Sequence, residues 1–592
     1  MASAWLLQSL CTTLLTNGNL PAGPGGTNDT FLWANTTYGT LKGKVVFEPS
    51  IPVAMFAGIP FAKPPTGALR FKEPESPDSW TGVRDALAFG DECLQRVALN
   101  DAFRDPNARH SEDCLYLNVY TPARTDCDTL LPVMVFIHGG GYNSGSGSSY
   151  DASYVAAKGV VFVTINYRLD LFGFLSTEDD IMPGNYGMLD QVAALKWVKN
   201  NIASFGGDPN MVTIVGQSAG SASVSLLTMS PLAKGLFHRA IMESGSSLSP
   251  FAIEYPGNRM TPRIAARLIS NAVNCNDLNN STALLSCLQK VDANTLLKKS
   301  LGITGAVQAT LINVPRVETT FGFLPDKPTA LMFRGQFSHV DTLRGYNSDE
   351  FGGFIPALAG PQPITMEVAK QVLRGQTVQF TNLDRVKVLE AMEATFLKDK
   401  KTPDAIQRGT LDGVDYFIFG APMITELDDV VIHAPEKKHY LYQFNYRPSF
   451  SKSPPWMSAL HGQEMFYLFD VQQKMFTDTG NGPPNADDIL VSQQIMERWT
   501  NFAKTGNPTS TAQKGGATWN QYSSTNSNCL FINSASSERL LTPTKVVDFY
   551  RKVLDTLQEP NPAPASAHAG KLSSIPAWGV ILSSIFVILL RR

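Results

Sequence analysis

Met211-Val212-Thr213-Ile214-Val215-Gly216-Gln217-Ser218-Ala219-Gly220 is the stretch whose reading decides the fold. Its second half fits Gly-x-Ser-x-Gly, the sharp turn that lifts a nucleophilic serine out of an α/β sheet. Small residues are needed there because the serine is strained and a helix packs close behind it. With 46 glycines in 592 residues, chance supplies such a match on the order of a few tenths of a time. The flanking sequence therefore decides.

Met211 to Val215 reads as the strand feeding the turn, and Ser221 to Met229 as the helix after it. Strand, turn and helix is the order the motif requires. Upstream, Val133-Met134-Val135-Phe136-Ile137 is a continuous apolar run ending in His138-Gly139-Gly140-Gly141. It reads as a buried central strand running into a glycine loop, and Val160 to Tyr167 as a second such strand. Asn185 to Phe205 reads as a helix, because Met188, Val192, Leu195, Val198 and Ile202 recur at three and four. Strands and helices alternate from about Thr37 to Leu557 with no repeat and no convincing linker. This predicts an α/β protein with a large, mostly parallel central sheet flanked by helices.

A serine hydroxyl is a poor nucleophile until a base takes its proton, and the base is usually a histidine oriented by a carboxylate. On this architecture the chain order is serine, acid, histidine, with functional groups at the carboxyl ends of strands. Four of the eight histidines lie well downstream: His433, His439, His461 and His568. His433 and His439 precede the strand-like run Tyr440-Leu441-Tyr442-Gln443-Phe444, and His568 lies in a terminal linker. His461 follows that strand and is the best-placed base. Val340 to Tyr346 is strand-like and runs into Asn347-Ser348-Asp349-Glu350-Phe351. Spacing alone does not choose between Asp349 and Glu350 as the acid. Gly139, Gly140 and Gly141 let backbone N–H groups approach a developing oxyanion, each worth about 3 kcal/mol in the transition state. The N–H of Ala219 is a further donor at the positive end of the following helix.

The chain is 43% hydrophobic and 17% charged with a net charge of −3, a globular composition with no electrostatic case for nucleic-acid binding. Its seven cysteines are Cys11, Cys93, Cys114, Cys127, Cys275, Cys287 and Cys529. None has metal-site spacing, so neither a metal nor a cofactor is expected. Cys93 and Cys114 stand close in sequence, as do Cys275 and Cys287. In an oxidising compartment such pairs close short loops and oppose unfolding by about 3 kcal/mol each. Ala4 to Leu15 fits a signal h-region within residues 1–26, although the first basic residue is Lys42. Asn28, Asn35, Asn279 and Asn280 are glycosylation acceptors by sequence. Residues 27–558 form the expected catalytic domain, followed by a Pro/Ala/Ser-rich linker, 559–574, and a hydrophobic tail, 575–592. Ile575 to Leu590 spans about 24 Å as a helix, short of the ~30 Å hydrocarbon core. Transmembrane anchor and lipid-anchor signal both fit, and both place the protein on a membrane through its tail; the expected location is the secretory pathway, cell-surface anchored or secreted.

Several motifs together closely resemble the type-B carboxylesterase/cholinesterase family. Phe205-Gly206-Gly207-Asp208-Pro209 running on to Gly216-Gln217-Ser218-Ala219-Gly220 is similar to that family's serine signature, and Glu112-Asp113-Cys114-Leu115-Tyr116-Leu117-Asn118-Val119 to its second. Gly58-Ile59-Pro60-Phe61-Ala62, Pro64-Pro65, Leu69-Arg70-Phe71 and Gly235-Leu236-Phe237-His238-Arg239-Ala240 are also typical. The resemblance covers about Thr37 to Val553. It implies the α/β-hydrolase fold, an active-site gorge, and hydrolysis of a small-molecule carboxylic ester through an acyl-enzyme on Ser218. It further implies Glu350 rather than Asp349 as the acid, His461 as the base, and Gly140, Gly141 and Ala219 as the oxyanion hole. Cys93–Cys114 and Cys275–Cys287 are the implied disulfides, and Arg70–Glu112 the implied buried ion pair.

Two departures bear on substrate. Gln217 stands where most relatives have glutamate, which removes a negative charge beside the nucleophile. Arg104, in Ala102-Phe103-Arg104-Asp105-Pro106-Asn107, falls where cholinesterases carry a tryptophan that stacks on choline. A cation there repels choline, so an uncharged or lipophilic ester is expected, with cholinesterase or hormone esterase as the alternative. Some members are cell-surface adhesion proteins that have lost the nucleophile. Ser218, Glu350, His461 and the glycine loop are all present here. Oligomeric state and the partners of Cys127 and Cys529 are not legible in the sequence.

Overall fold

Residues 31–555 are described by a computed structural model, apart from 48–51, 97–106, 124–128, 255–260, 308–312, 354–363, 379–383, 470–482, 510–516 and 542–543. The strands are β1 (Phe31–Thr36), β2 (Gly39–Phe47), β3 (Pro52–Pro60), β4 (Val83–Asp85), β5 (Glu92–Cys93), β6 (His110–Ser111), β7 (Tyr116–Pro122), β8 (Leu131–Ile137), β9 (Val161–Ile165), β10 (Gly207–Gln217), β11 (Arg239–Glu243), β12 (Asp341–Asn347), β13 (His439–Phe444), β14 (Asn528–Ile532) and β15 (Ser537–Leu540). One large sheet runs in the order β1-β2-β3-β7-β9-β8-β10-β11-β12-β13-β14-β15, with β4 beside β2. Its first part, β1 to β9, pairs antiparallel. From β9 through β14 every pairing is parallel.

Parallel strands are covered by helices on both faces, so they read as unbroken apolar runs. Val133 to Ile137 in β8 are all fully buried. The chain steps from β8 outward to β9, then returns across β8 to lay down β10 on its other side. This reversal is a topological switch point, where a crevice opens beyond the carboxyl ends of the strands. The loop His138–Gly141 follows β8 and Ser218 follows β10, so both open into that crevice.

The sequence reading places these elements well and their ends less well. The helix expected over 185–205 is Tyr186–Asn201, closed by a 3-10 turn, Ile202–Phe205, that stops at Gly206 with φ 78°. The strand expected over Met211–Val215 begins at Gly207, which pairs with Leu131. A bulge then shifts the register before Val212 meets Val133. Asp208-Pro209-Asn210 has turn chemistry and hides that extension. The helix after the turn is Ala219–Met229.

Both expected disulfides are formed, Cys93–Cys114 and Cys275–Cys287. Arg70 and Glu112 make the expected pair in two-pronged form, with Nε and Nη2 each 2.6 Å from a carboxylate oxygen. The remaining Nη1 donates to the carbonyls of Leu288 and Val291. The ion pair thus ties the region of the first disulfide to the segment just past the second. Asn35, Asn279 and Asn280 are exposed, and Asn280 caps the helix Ser281–Leu288 through the N–H of Ala283. Cys529 is a buried free thiol, pushed up by desolvation.

Cys11, Asn28, Phe103, Arg104, Cys127 and His568 lie outside the described residues, as do segments 1–26, 559–574 and 575–592. Among the described residues no helix is long and apolar enough to cross a membrane.

Candidate active site

Ser218 occupies a conformation that side chains rarely adopt, φ 58° and ψ −124°. The surrounding backbone enforces it. A Cβ on Gly216 would lie 2.2 Å from the carbonyl oxygen of Gly220, and one on Gly220 would lie 2.0 Å from that of Ile137. Both outer glycines of the motif are therefore sterically required. The Ser218 N–H donates to the carbonyl of Glu243, 2.8 Å away, which pins the turn to β11.

Three side chains from three strand ends converge. His461 Nε2 is 3.0 Å from Ser218 Oγ, and His461 Nδ1 is 2.6 Å from Glu350 Oε2. The second Glu350 oxygen accepts the N–H of Asn347 at 2.8 Å, and the N–H of His461 donates to the Glu350 carbonyl at 3.1 Å. Glu350 is fully buried and Ser218 nearly so. Burial disfavours the imidazolium of His461, but the Glu350 and Glu464 carboxylates outweigh it and hold the ring above its ordinary value. Asp349, the other candidate acid, turns away. It pairs with Arg408 and accepts the N–H of Ser458 at 2.9 Å. The two neighbours thus have separate tasks, because successive residues of a turn point in different directions.

Gly140 and Gly141 have φ of 103° and 62°. A Cβ on Gly140 would lie 2.1 Å from the Ser144 carbonyl oxygen. The Gly140 carbonyl in turn accepts the N–H groups of Asn143 and Ser144, each at 3.1 Å. Among the described residues, none accepts a hydrogen bond from the N–H of Gly140, Gly141 or Ala219. His138, which opens the loop, is buried, and desolvation pushes its imidazole down to about 4. Its ring stacks on Tyr167 at 4.4 Å, and the Tyr167 hydroxyl donates to the His138 carbonyl. The loop is therefore anchored at its root while its N–H groups stay available.

Further neighbours complete the site, of which the sequence reading singles out Gln217 and misses Phe419, Asn347 and Glu464. The carboxamide of Gln217 lies between the loops, its Nε2 3.4 Å from His461 Nε2. A Cβ on Gly139 would lie 2.9 Å from its Oε1. Phe419, in the π-helical turn Tyr416–Gly420, packs on His461 at 4.7 Å, with Phe251 and Phe351 beyond it. Asn347 supports two acids, through its backbone to Glu350 and its side chain to Glu464. Glu464 follows His461 by three residues, but an isolated acid in a turn has no periodicity to mark it. Among the described residues no group of three or more His, Cys, Asp or Glu is arranged to hold a metal ion.

The sequence model of the Carboxylesterase family matches residues 32–549. The rat pyrethroid hydrolase Ces2e (Rattus norvegicus) is 39% identical over 80% of this chain and 82% of its own. The rabbit cocaine esterase (Oryctolagus cuniculus) is 37% identical over 80% and 87%. The medium-chain fatty acyl-CoA hydrolase precursor of the duck Anas platyrhynchos is 37% identical over 82% and 86%. On this similarity, together with the α/β-hydrolase sheet, the chain belongs to the carboxylesterase family and is a carboxylic ester hydrolase.

Proposed function

We propose that this chain hydrolyses uncharged, lipophilic carboxylic esters through an acyl-enzyme on Ser218. The observation that carries it is the unbroken chain from Ser218 Oγ through the His461 ring to Glu350, at 3.0 and 2.6 Å. Glu350 holds the Nδ1 proton, so Nε2 is left as an acceptor. In this reading Ser218 Oγ attacks the ester carbonyl carbon as its proton passes to His461 Nε2. The oxyanion is met by the N–H groups of Gly140, Gly141 and Ala219. The alcohol C–O bond then breaks, and the imidazolium returns its proton to the departing oxygen. Water repeats the sequence on the acyl-enzyme, releasing the acid and restoring Ser218.

The preference for uncharged esters is supported by Gln217, whose neutral amide stands beside the nucleophile. The aromatic group Phe419, Phe251 and Phe351 beside His461 supports an apolar acyl or alcohol group. The relative named for fatty acyl-CoA hydrolysis supports an apolar acyl group. Two disulfides support passage through an oxidising compartment. Residues 575–592 are proposed as the membrane attachment, and Asn28, Asn35, Asn279 and Asn280 as glycosylation sites.

Replacing Ser218 by alanine should abolish hydrolysis of a simple aryl ester, and labelling by an organophosphate, without altering the circular dichroism spectrum. Undiminished hydrolysis by the folded variant would overturn the assignment.

A further inference from the structure

Behind the triad lies a second group of buried acids. In the parallel register Glu243 of β11 stands beside Gly345 of β12, which stands beside Tyr442 of β13. A Cβ on Gly345 would lie 2.2 Å from the Tyr442 ring. The ring therefore covers the glycine and approaches Glu243 on the same face of the sheet. Trp499, from the helix Ala486–Thr505, closes this space from below, its ring 5.1 Å from that of Tyr442. Glu464 closes it from the side of His461, held by the Asn347 amide. Glu243, Glu464, Tyr442 and Trp499 are all essentially inaccessible to solvent.

The hydrogen bonding there does not balance if every acid is ionised. Among the described residues, both Glu243 oxygens, Glu464 Oε1, Asn347 Oδ1, the Tyr442 hydroxyl and the Trp499 indole N–H have no partner at bonding distance. The carboxylate and amide oxygens are pure acceptors in the ionised state, and the hydroxyl and the indole N–H can donate to only two of them. A buried acceptor without a donor is costly, and a buried charge without one more so. The charged and titratable groups that face this space are Glu350, His461 and Tyr442. Both Glu350 oxygens are already engaged, one with the His461 ring and the other with the Asn347 N–H. Glu464 has the Asn347 amide, and Glu243 has the Trp499 indole N–H facing it without a hydrogen bond at bonding distance. Like charges in one small apolar space do not all ionise.

We propose that Glu243 and Glu464 share a proton, carried chiefly by Glu243, and act as a positioning pair that sets the protonation of His461. The proton supplies the missing donor and leaves one net negative charge behind Glu350. Burial, with Glu464 beside it, drives Glu243 well above the ordinary carboxylate range, and burial with Glu350 beside it pushes Glu464 up to about 7. The Glu464 charge raises the imidazolium of His461, so the pair tunes the pH at which the base is lost.

The inference rests on His461 being the base, and its test has one arm that does not. An infrared difference spectrum at neutral pH, wild type minus Glu243→Gln, should show the carbonyl band of a protonated carboxyl. Its absence would overturn the proposal whatever the activity. In the second arm, Glu464→Gln should move the acidic limb of kcat/KM down by about 0.5–1 pH unit by removing a charge near the imidazolium. Glu464→Asp, which keeps the charge, should retain the wild-type limb. Glu243→Gln should leave the limb in place or move it up, because Glu464 then ionises more readily. An unmoved limb in Glu464→Gln, or equal shifts in one direction for both glutamine variants, would sink the pair. If Glu464→Gln does not fold, the infrared band and the limb of Glu243→Gln decide. Persisting activity in Ser218→Ala would instead remove the catalytic assignment and leave the infrared result standing.

Discussion

Replacing Glu350 by glutamine changes one atom at the far end of the proposed relay, and the structure dictates how the new amide sits. The Asn347 N–H donates to one carboxylate oxygen at 2.8 Å, so that position must remain an acceptor. The amide oxygen stays there, and the NH2 replaces the oxygen that is 2.6 Å from His461 Nδ1. The opposite flip would leave the Asn347 N–H facing another donor in a fully buried place, at about 1–3 kcal/mol. An NH2 only donates, so Nδ1 must accept and the ring proton moves to Nε2. That proton then points at Ser218 Oγ across 3.0 Å, where the ring should be accepting one. The expected loss in kcat is about 10⁴-fold, or about 5.5 kcal/mol in the barrier. The pH profile should move as well. Glu350 helps hold the His461 imidazolium above its ordinary value, and activity is lost as pH falls through that value. Removing the carboxylate lowers it, so the residual activity should persist to lower pH than in the wild type. The assay is kcat and kcat/KM for an uncharged aryl ester across pH, with circular dichroism as the folding control. A loss below about tenfold with an unmoved acidic limb would refute the tautomer argument.

Further expectations rest on single contacts. Gly140→Ala meets both a φ of 103° and a Ser144 oxygen 2.1 Å from its new Cβ, so kcat should drop by about 10²–10³ with the fold retained. A comparison of kcat with the wild type at equal circular dichroism checks this. Gln217→Glu places a carboxylate where an amide now stands 3.4 Å from the base. It should raise the acidic limb by about one pH unit and increase turnover of a cationic ester relative to its neutral isostere; parallel pH profiles on both esters would show it. Arg70→Ala leaves Glu112 and the carbonyls of Leu288 and Val291 without their donor. Loss of stability of about 3–5 kcal/mol is expected, read as a lower urea midpoint.

Local pattern was enough for much of the site. The apolar runs of β8 and β10, the glycines that follow them and the helix after Ser218 are short-range signals, because steric demands within a turn act on neighbours in the chain. Chain order then brought His461 forward over His433 and His439. The resemblance alone separated Glu350 from Asp349. Burial and hydrogen bonding explain that outcome, since Asp349 is drawn to Arg408 and Glu350 to His461.

Sequence by itself determined the strand–turn–helix at Ser218, the glycine loop, the order of the catalytic candidates and the cysteine pairs expected to bond. These follow from which residues fit a given backbone. Tertiary structure alone decided that Gln217 reaches His461, that Phe419 covers the ring, and that Glu243 and Glu464 gather behind Glu350. Those contacts join segments far apart in the chain, 244 residues for Gln217 and His461, and their strength comes from the exclusion of water at one crevice. No local pattern encodes which buried groups will share that space.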